Sequence, residues 1–274
     1  MPELPEVEHV VRALRPIVTG RRILAAELNL KRTAPELSRA AFGRQLKNLT
    51  ITGVGRRGKY ILFELESGRL LTTHLRMTGK FVLLNSDDEL PKHAHAIFYL
   101  DHDRRLVFRD QRQFGVMKLI ESSKLSQTKG ISELAPEPFG EEFTLGYLRS
   151  LLKRSHRSLK TLLLDQTKVL GLGNIYAAEA LFRARINPFK PADELGSRRV
   201  PALYEAIVEI LQFAVDHIRG SINLEEGFSY GAAFERFWQV YEREGEPCVR
   251  CGAKIRRATH GGRSTYWCPK CQRR

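Results

Sequence analysis

Cysteine is absent from the first 247 residues of this 274-residue chain, and all four cysteines fall between positions 248 and 271. A secreted disulfide framework is therefore not expected. No uninterrupted apolar run approaches the ~18 residues that a membrane span needs. The opening MPELPEVEHVVRALRPIVTG carries Glu3, Glu6 and Glu8 and lacks the apolar core of a secretory signal, so the expected location is the cytoplasm. Internal repeats at a fixed period and low-complexity tracts are also missing. Acidic residues are wholly absent from Pro247 to Arg274, where Arg250, Lys254, Arg256, Arg257, Arg263, Lys270, Arg273 and Arg274 supply eight positive charges.

The remaining composition is 42% hydrophobic, 9% aromatic and 28% charged, which excludes a disordered or fibrous chain. At the usual ~150 residues per domain, two or three compact units are expected. Lys and Arg number 45 against 31 Asp and Glu, a net charge of +14. An excess of that size points to a polyanionic partner, with nucleic acid first, although a solvated basic surface would have the same composition.

Val7, Val10, Val11, Leu14 and Val18 form the stripe of an amphipathic helix, with Pro5 suited to its first turn. From about Arg22 to Leu119 short apolar runs recur every eight to twelve residues: 50–54, 60–65, 69–75, 81–84, 96–100, 106–108 and 116–120. With turn signals between them, they predict an antiparallel sandwich or barrel. Residues 121–140 read as a linker. Beyond it, Thr144 is a candidate N-cap for a helix through Leu145, Leu148, Leu151 and Leu152. Further helices are expected over 159–166, over 174–184 and from about 203 to Gly220. The expected division is 1–130, 131–236 and 237–274.

Cys248-x-x-Cys251 and Cys268-x-x-Cys271 have the spacing of a four-thiolate zinc site. Such a site is closed, so one structural Zn2+ per chain is expected, holding a basic hairpin with Arg256, Arg257 and Arg263 at its tip. The alternative is four reduced cysteines without metal. Gly171 and Gly173 lie between two helices, where backbone N–H groups can approach an anion at a helix N-terminus, or merely form a glycine-rich connection. Pro2 becomes a free secondary amine once Met1 is removed. An α-amine of pKa near 7.7–8.0 is about a quarter neutral at pH 7.4, against roughly one part in a thousand for lysine, so it can attack an electrophilic carbon. Glu3 and Glu6 beside it suit proton donation, although both residue types are also common in a first helical turn.

MPELPEVE at the start, HLRMTG at 74–79, RDQRQFG at 109–115, LLLDQ at 162–166, GLGNIYAAEALF at 171–182 and the closing cysteine hairpin occur in this order. In that combination the chain resembles the bacterial formamidopyrimidine-DNA glycosylases along essentially its whole length. The resemblance implies an α+β multidomain fold. It comprises an N-terminal helix with an antiparallel β-sandwich, a helical helix-two-turn-helix domain and a C-terminal four-cysteine zinc finger, with damaged double-stranded DNA held in the cleft of a monomer. It also implies an enzyme that excises oxidised purines (8-oxoguanine, formamidopyrimidines) and then cuts the backbone at the abasic site by β,δ-elimination.

Carried over by position, the resemblance makes Pro2 the nucleophile that forms a Schiff base at the sugar C1′. Glu3 becomes the acid for base loss and ring opening, Lys59 a further general acid, and Arg263 an aid to the second elimination. Lys160, Asn174 and His74 would bind phosphates, and His93 would contact DNA. Met77, Arg112 and Phe114 would fill the gap left by a flipped nucleotide. Core packing for Met77 and Phe114, and ordinary strand positions for His74 and His93, are the plainer alternatives. Ser155 stands where the family tends to have a basic residue, which leaves Arg154 or His156 for that contact. Residues 219–241 read as shorter and more aromatic than the family's loop over the damaged base.

Two competing functions remain on sequence grounds: an endonuclease VIII-like glycosylase for oxidised pyrimidines, whose start usually has Gly where this chain has Leu4, and a non-enzymatic zinc-containing DNA-binding protein. The latter has no need of a free Pro2 amine. A small-molecule enzyme with an N-terminal proline base leaves both the zinc hairpin and the +14 unexplained.

Overall fold

A computed structural model describes residues 2–218 and 237–273. These fall into two compact units, one of Pro2 with Glu6–Ser132 and the other of Glu3–Pro5, Glu133–Ile218 and 237–273. The expected helix end at Gly220, and residues 219–236 of the aromatic loop, lie outside the described residues.

Helix α1 (Leu4–Val18), which belongs to the first unit from Glu6 onward, buries Val7, Val10, Val11, Leu14 and Val18, the stripe read from its 3.6-residue period. Two four-stranded antiparallel sheets face a shared core. One runs β1 (Ile23–Leu28), β6 (Ala94–Leu100), β7 (Arg104–Arg109), β5 (Lys80–Asn85), and the other β2 (Ile51–Arg57), β3 (Tyr60–Leu65), β4 (Arg69–His74), β8 (Val116–Glu121). Phe63 meets Phe81 edge-on and Phe81 meets Phe108 at a tilt, with ring centroids 5.2 and 5.3 Å apart. Each such buried ring contributes about 1.5–3 kcal/mol through its apolar area. Helix α2 (Arg39–Leu46) adds Phe42 and Leu46 to this core and is capped by Ser38, whose hydroxyl accepts from Ala41 N–H. Neither α2 nor β1 was expected, because α2 offers only two buried apolar positions and β1 alternates irregularly.

The second unit packs α3 (Leu145–Lys153), α4 (Leu159–Leu163), α5 (Asn174–Arg183) and α6 (Val200–His217) around Leu148, Leu152, Leu162, Leu163, Tyr176, Leu181, Leu203, Ile207 and Leu211. Thr144 caps α3 as expected, accepting from Tyr147 N–H at 3.0 Å. The expected 159–166 helix stops at Leu163, because Asp165 accepts from the backbone and hydroxyl of Thr167 and turns the chain. A hairpin of β9 (Arg256–His260) and β10 (Arg263–Trp267) closes the chain, turning at Gly261 and Gly262, both at positive φ. Arg263 stands at that tip. Arg256 and Arg257 pair with Trp267 and Tyr266 at the opposite end of the ladder, contrary to the expectation that all three share the tip. No helix among the described residues is long and apolar enough to cross a membrane.

Candidate functional site

Glu3 is buried, and its carboxylate crowns the N-terminus of α5. Gly173 N–H donates to it at 2.5 Å, Ile175 N–H at 2.9 Å and Tyr176 N–H at 3.2 Å. These are orphan donors of a first helical turn, and the helix dipole adds to their pull on an anion. A Cβ on Gly173 would lie 2.4 Å from the Glu3 carboxyl carbon, and one on Gly171, at φ +89°, 2.5 Å from Leu4. Both glycines are therefore required by close approach of the N-terminal segment. The anion expected at this helix end is the chain's own Glu3 carboxylate. Pro2, itself buried, precedes it by one peptide bond.

Lys160 is 0% exposed, which places it beneath the hairpin and not on a surface open to phosphate. Its ammonium donates to Ser264 O at 2.6 Å and Thr265 Oγ1 at 2.7 Å, and Asn174 Nδ2 donates to the same Ser264 carbonyl at 3.0 Å. Burial first, then the Arg263 charge, lowers the Lys160 pKa to about 8, with Glu3 pulling the other way. Ser158 Oγ meets His260 Nε2 at 2.6 Å, a further tie to the hairpin. Arg263, next to Ser264, is exposed. His156 pairs with Asp193, Nδ1 to Oδ2, at 2.6 Å.

The four cysteine sulfurs lie within 4.8 Å of one another, with Cys248 to Cys271 at 3.9 Å and Cys251 to Cys268 at 3.5 Å. Zinc–sulfur bonds of about 2.3 Å in a tetrahedron place sulfurs about 3.8 Å apart, so the donor set fits one zinc ion. Backbone N–H groups of Arg250 and Cys271 point at Cys248 and Cys268 sulfur, as thiolates require. Burial and then the neighbouring thiols push the Cys271 thiol up to about 12, so a cation is needed to hold all four ionised.

The remaining candidates belong to the first unit. Lys59 is buried in the two-residue turn between β2 and β3, after Gly58 at φ +56°. His74 ends β4, 7% exposed, edge-on to Tyr60 at 4.7 Å, and its Nδ1 accepts from Arg76 N–H at 3.0 Å. Desolvation first, then the charges of Arg76 and Lys59, lower its pKa to about 3. His74 is thus neutral, with the proton on Nε2 available for donation. His93 is exposed at φ +66°. Met77 is 41% exposed and Phe114 40%, so neither is core packing. Phe114 has Arg112 and Arg32 guanidinium carbons 5.2 and 5.5 Å from its ring centroid.

Family models match residues 1–117 as the formamidopyrimidine-DNA glycosylase N-terminal domain, 134–226 as its H2TH domain, and 245–274 as the zinc finger found in FPG and IleRS. A formamidopyrimidine-DNA glycosylase of Pelotomaculum thermopropionicum is 46% identical, over 100% of this chain and 99% of that one. The chain belongs to the formamidopyrimidine-DNA glycosylase family. The Lactococcus lactis Fpg in complex with abasic-site DNA superposes with a TM-score of 0.92 at 37% identity, over 99% of this chain and 100% of that one. The same protein bound to DNA containing an oxidised pyrimidine gives 0.92 and 37%, over 100% of both chains.

Sequence reasoning missed two buried carboxylates in this glycosylase-family chain. Glu179, on α5, gathers the N–H groups of Gln239, Val240 and Tyr241 at 2.9–3.1 Å and so pins the chain leading into the zinc hairpin. Asp110 occupies the RDQRQFG motif and is taken up below. Neither has a signal of its own, since a single acidic residue, between Arg109 and Gln111 or between Ala178 and Ala180, reads as surface.

The neutral His74 has a pH consequence. An unfolded histidine of pKa about 6.5 binds a proton that the folded one, with pKa about 3, refuses, so the His74 contribution to stability is constant above pH 6.5 and becomes increasingly unfavourable as pH drops toward 3. By pH 5 the contribution is about 2 kcal/mol. His74→Asn, which keeps an acceptor for Arg76 N–H, should flatten that part of the curve in denaturant titrations at pH 7 and pH 5. An unchanged pH slope would show that His74 is protonated in the fold.

Proposed function

We propose that this chain is a DNA glycosylase that removes oxidised purines from duplex DNA and then cleaves the resulting abasic site through a Schiff base on Pro2. The observation that carries the reading is the Pro2–Glu3 pair, an N-terminal secondary amine placed one residue before a carboxylate fixed by three backbone donors. With Met1 removed, the Pro2 nitrogen attacks C1′ as the bond from C1′ to the damaged base breaks. Glu3 delivers a proton as the base departs and, recharged by the proton that the Pro2 nitrogen loses, a second to O4′ that lets the sugar ring open, leaving an iminium on Pro2. Loss of a C2′ proton and departure of the 3′ phosphate follow, and then of the 5′ phosphate.

Lys59 and Arg263 serve these eliminations, Lys59 as general acid and Arg263 as the cation beside the departing phosphate. His74, His93 and Asn174 hold the backbone, while Lys160 acts through Ser264 by fixing the hairpin that bears Arg263. Met77, Arg112 and Phe114 enter the space left by the flipped nucleotide, and Arg112 offers hydrogen-bond donors to the orphaned base. The zinc ion, when bound, supplies no chemistry and holds the hairpin. The three parts, 1–130, 131–236 and 237–274, bring these groups to damaged double-stranded DNA, and a protein with this substrate works on the chromosome in the cytoplasm.

Oxidised pyrimidines are a second substrate class, favoured by the Lactococcus lactis complex with such DNA. A panel of duplexes with an oxidised purine, a formamidopyrimidine, an oxidised pyrimidine or no lesion separates the readings. Excision with strand cleavage is expected on both purine-derived lesions, with affinity falling steeply in salt at about 0.9 log unit per neutralised phosphate. Binding to all duplexes without cleavage of any identifies a non-enzymatic binding protein, and cleavage confined to the pyrimidine lesion identifies the alternative glycosylase.

A further inference from the structure

Asp110 is a buried carboxylate, 1% exposed, that the proposed chemistry does not use. It follows β7 directly, and both its oxygens are engaged. Oδ2 accepts from Gly115 N–H at 2.7 Å, and Oδ1 accepts the Thr78 hydroxyl in a short hydrogen bond and Arg112 N–H at 3.3 Å. Thr78 Oγ1 in turn accepts from Arg112 N–H at 3.0 Å. The backbone of the same residue reaches a third segment: its N–H donates to His93 O at 3.1 Å, and its carbonyl lies 2.8 Å from His95 Nε2, which is therefore a donor.

One side chain thus joins the turn carrying Met77 to the turn carrying Arg112 and Phe114. The turns it joins are conformationally costly. Arg76 has φ +56° and Gln113 φ +58°, each about 1 kcal/mol above a right-handed conformation for a residue with a Cβ. A Cβ on Gly79 or Gly115 would come within 2.8 or 2.5 Å of the Phe108 ring, so both turns press against the core and cannot relax toward it. Such backbone persists only where hydrogen bonds over-determine it.

We infer that Asp110 and Thr78 are positioning residues that hold Met77, Arg112 and Phe114 in one rigid arrangement before DNA arrives. The inference rests on the assignment of those three side chains to the vacated nucleotide position. Ordering them during flipping would add the cost of immobilising side chains and loops to that of unstacking a base. A buckle formed in the free protein removes that cost, so its loss should appear where a base must be expelled and not where none is present.

The test compares single-turnover excision of an oxidised purine from an intact duplex with cleavage of a preformed abasic site. Thr78→Val keeps shape and removes only the hydroxyl. It should slow excision about ten- to a hundredfold, the size of a hydrogen bond to an ionised group, and weaken discrimination between opposite bases, with abasic-site cleavage within about twofold. Thr78→Ser, which restores the hydroxyl, should restore excision. Asp110→Asn presents an amide donor to Gly115 N–H or the Thr78 hydroxyl and should act in the same direction. If Asp110→Asn fails to fold, the Thr78 pair carries the test alone. Equal loss on both substrates for Thr78→Val, or failure of Thr78→Ser to restore excision, overturns the inference. Phe114→Ala is the control. If it slows excision selectively while Thr78→Val does not, the buckle alone is wrong, and if Phe114→Ala is not selective, the assignment of the three side chains falls and the inference with it.

Discussion

Glu3→Gln is expected to slow base excision by about 10²–10⁴-fold, the worth of a positioned general acid, while leaving Schiff-base formation at a preformed abasic site largely intact. The separation follows from what each substrate demands. Base loss needs a proton delivered as the C1′ bond breaks, whereas an open-chain aldehyde at an abasic site needs only the amine. Glu3 also caps α5, so the substitution has a structural cost. Glutamine keeps one acceptor oxygen, loses the charge facing the helix dipole, and turns an NH2 toward donors that the carboxylate now satisfies. A stability loss of about 1–3 kcal/mol is expected. If Glu3→Gln lowered stability but excised as fast as the parent protein, Glu3 would be a helix cap only.

Removal of zinc should have the next largest effect. Structural zinc in small finger domains is bound with about 10–16 kcal/mol, far beyond what a two-stranded hairpin can supply by itself. Chelation, or Cys268→Ser at a fully buried ligand, should therefore unfold the hairpin and release Arg263. The consequences reach the helices. Lys160 and Asn174 would lose the Ser264 carbonyl, and Lys160 would lose the Thr265 hydroxyl and the hairpin that covers it. DNA affinity should fall about a hundredfold, equivalent to two charge-assisted hydrogen bonds, while the first unit keeps its fold. Elemental analysis should give one zinc per chain. Fully active protein that contains no zinc contradicts the assignment.

The stripe of α1, seven of the strands, the Thr144 cap and the cysteine spacing were legible because each is local and periodic. What escaped was of two kinds. Helix α2 and strand β1 carry weak patterns and are held by tertiary packing of Phe42, Leu46 and Ile23. The more important omissions are long-range. Glu3 meets Gly173, Thr78 meets Asp110, and Lys160 meets Ser264, and no sequence period links positions so far apart. The GLG turn was legible only in part for that reason: an anion at the helix end was one of two readings, and nothing local could show that it comes from Glu3. Phe114 and Met77 were ambiguous for a different reason, since an apolar side chain in a turn reads alike in a core or on a tip, and only their exposure decides.

The central claim is that the N-terminal amine of Pro2 is the nucleophile. Borohydride reduction during reaction with an oxidised-purine duplex, followed by peptide mapping of the trapped DNA adduct, addresses it directly. The adduct should map to Pro2 and vanish when the N-terminus is blocked by an added residue or by acetylation. An adduct on a lysine, or undiminished trapping by the blocked protein, would contradict it.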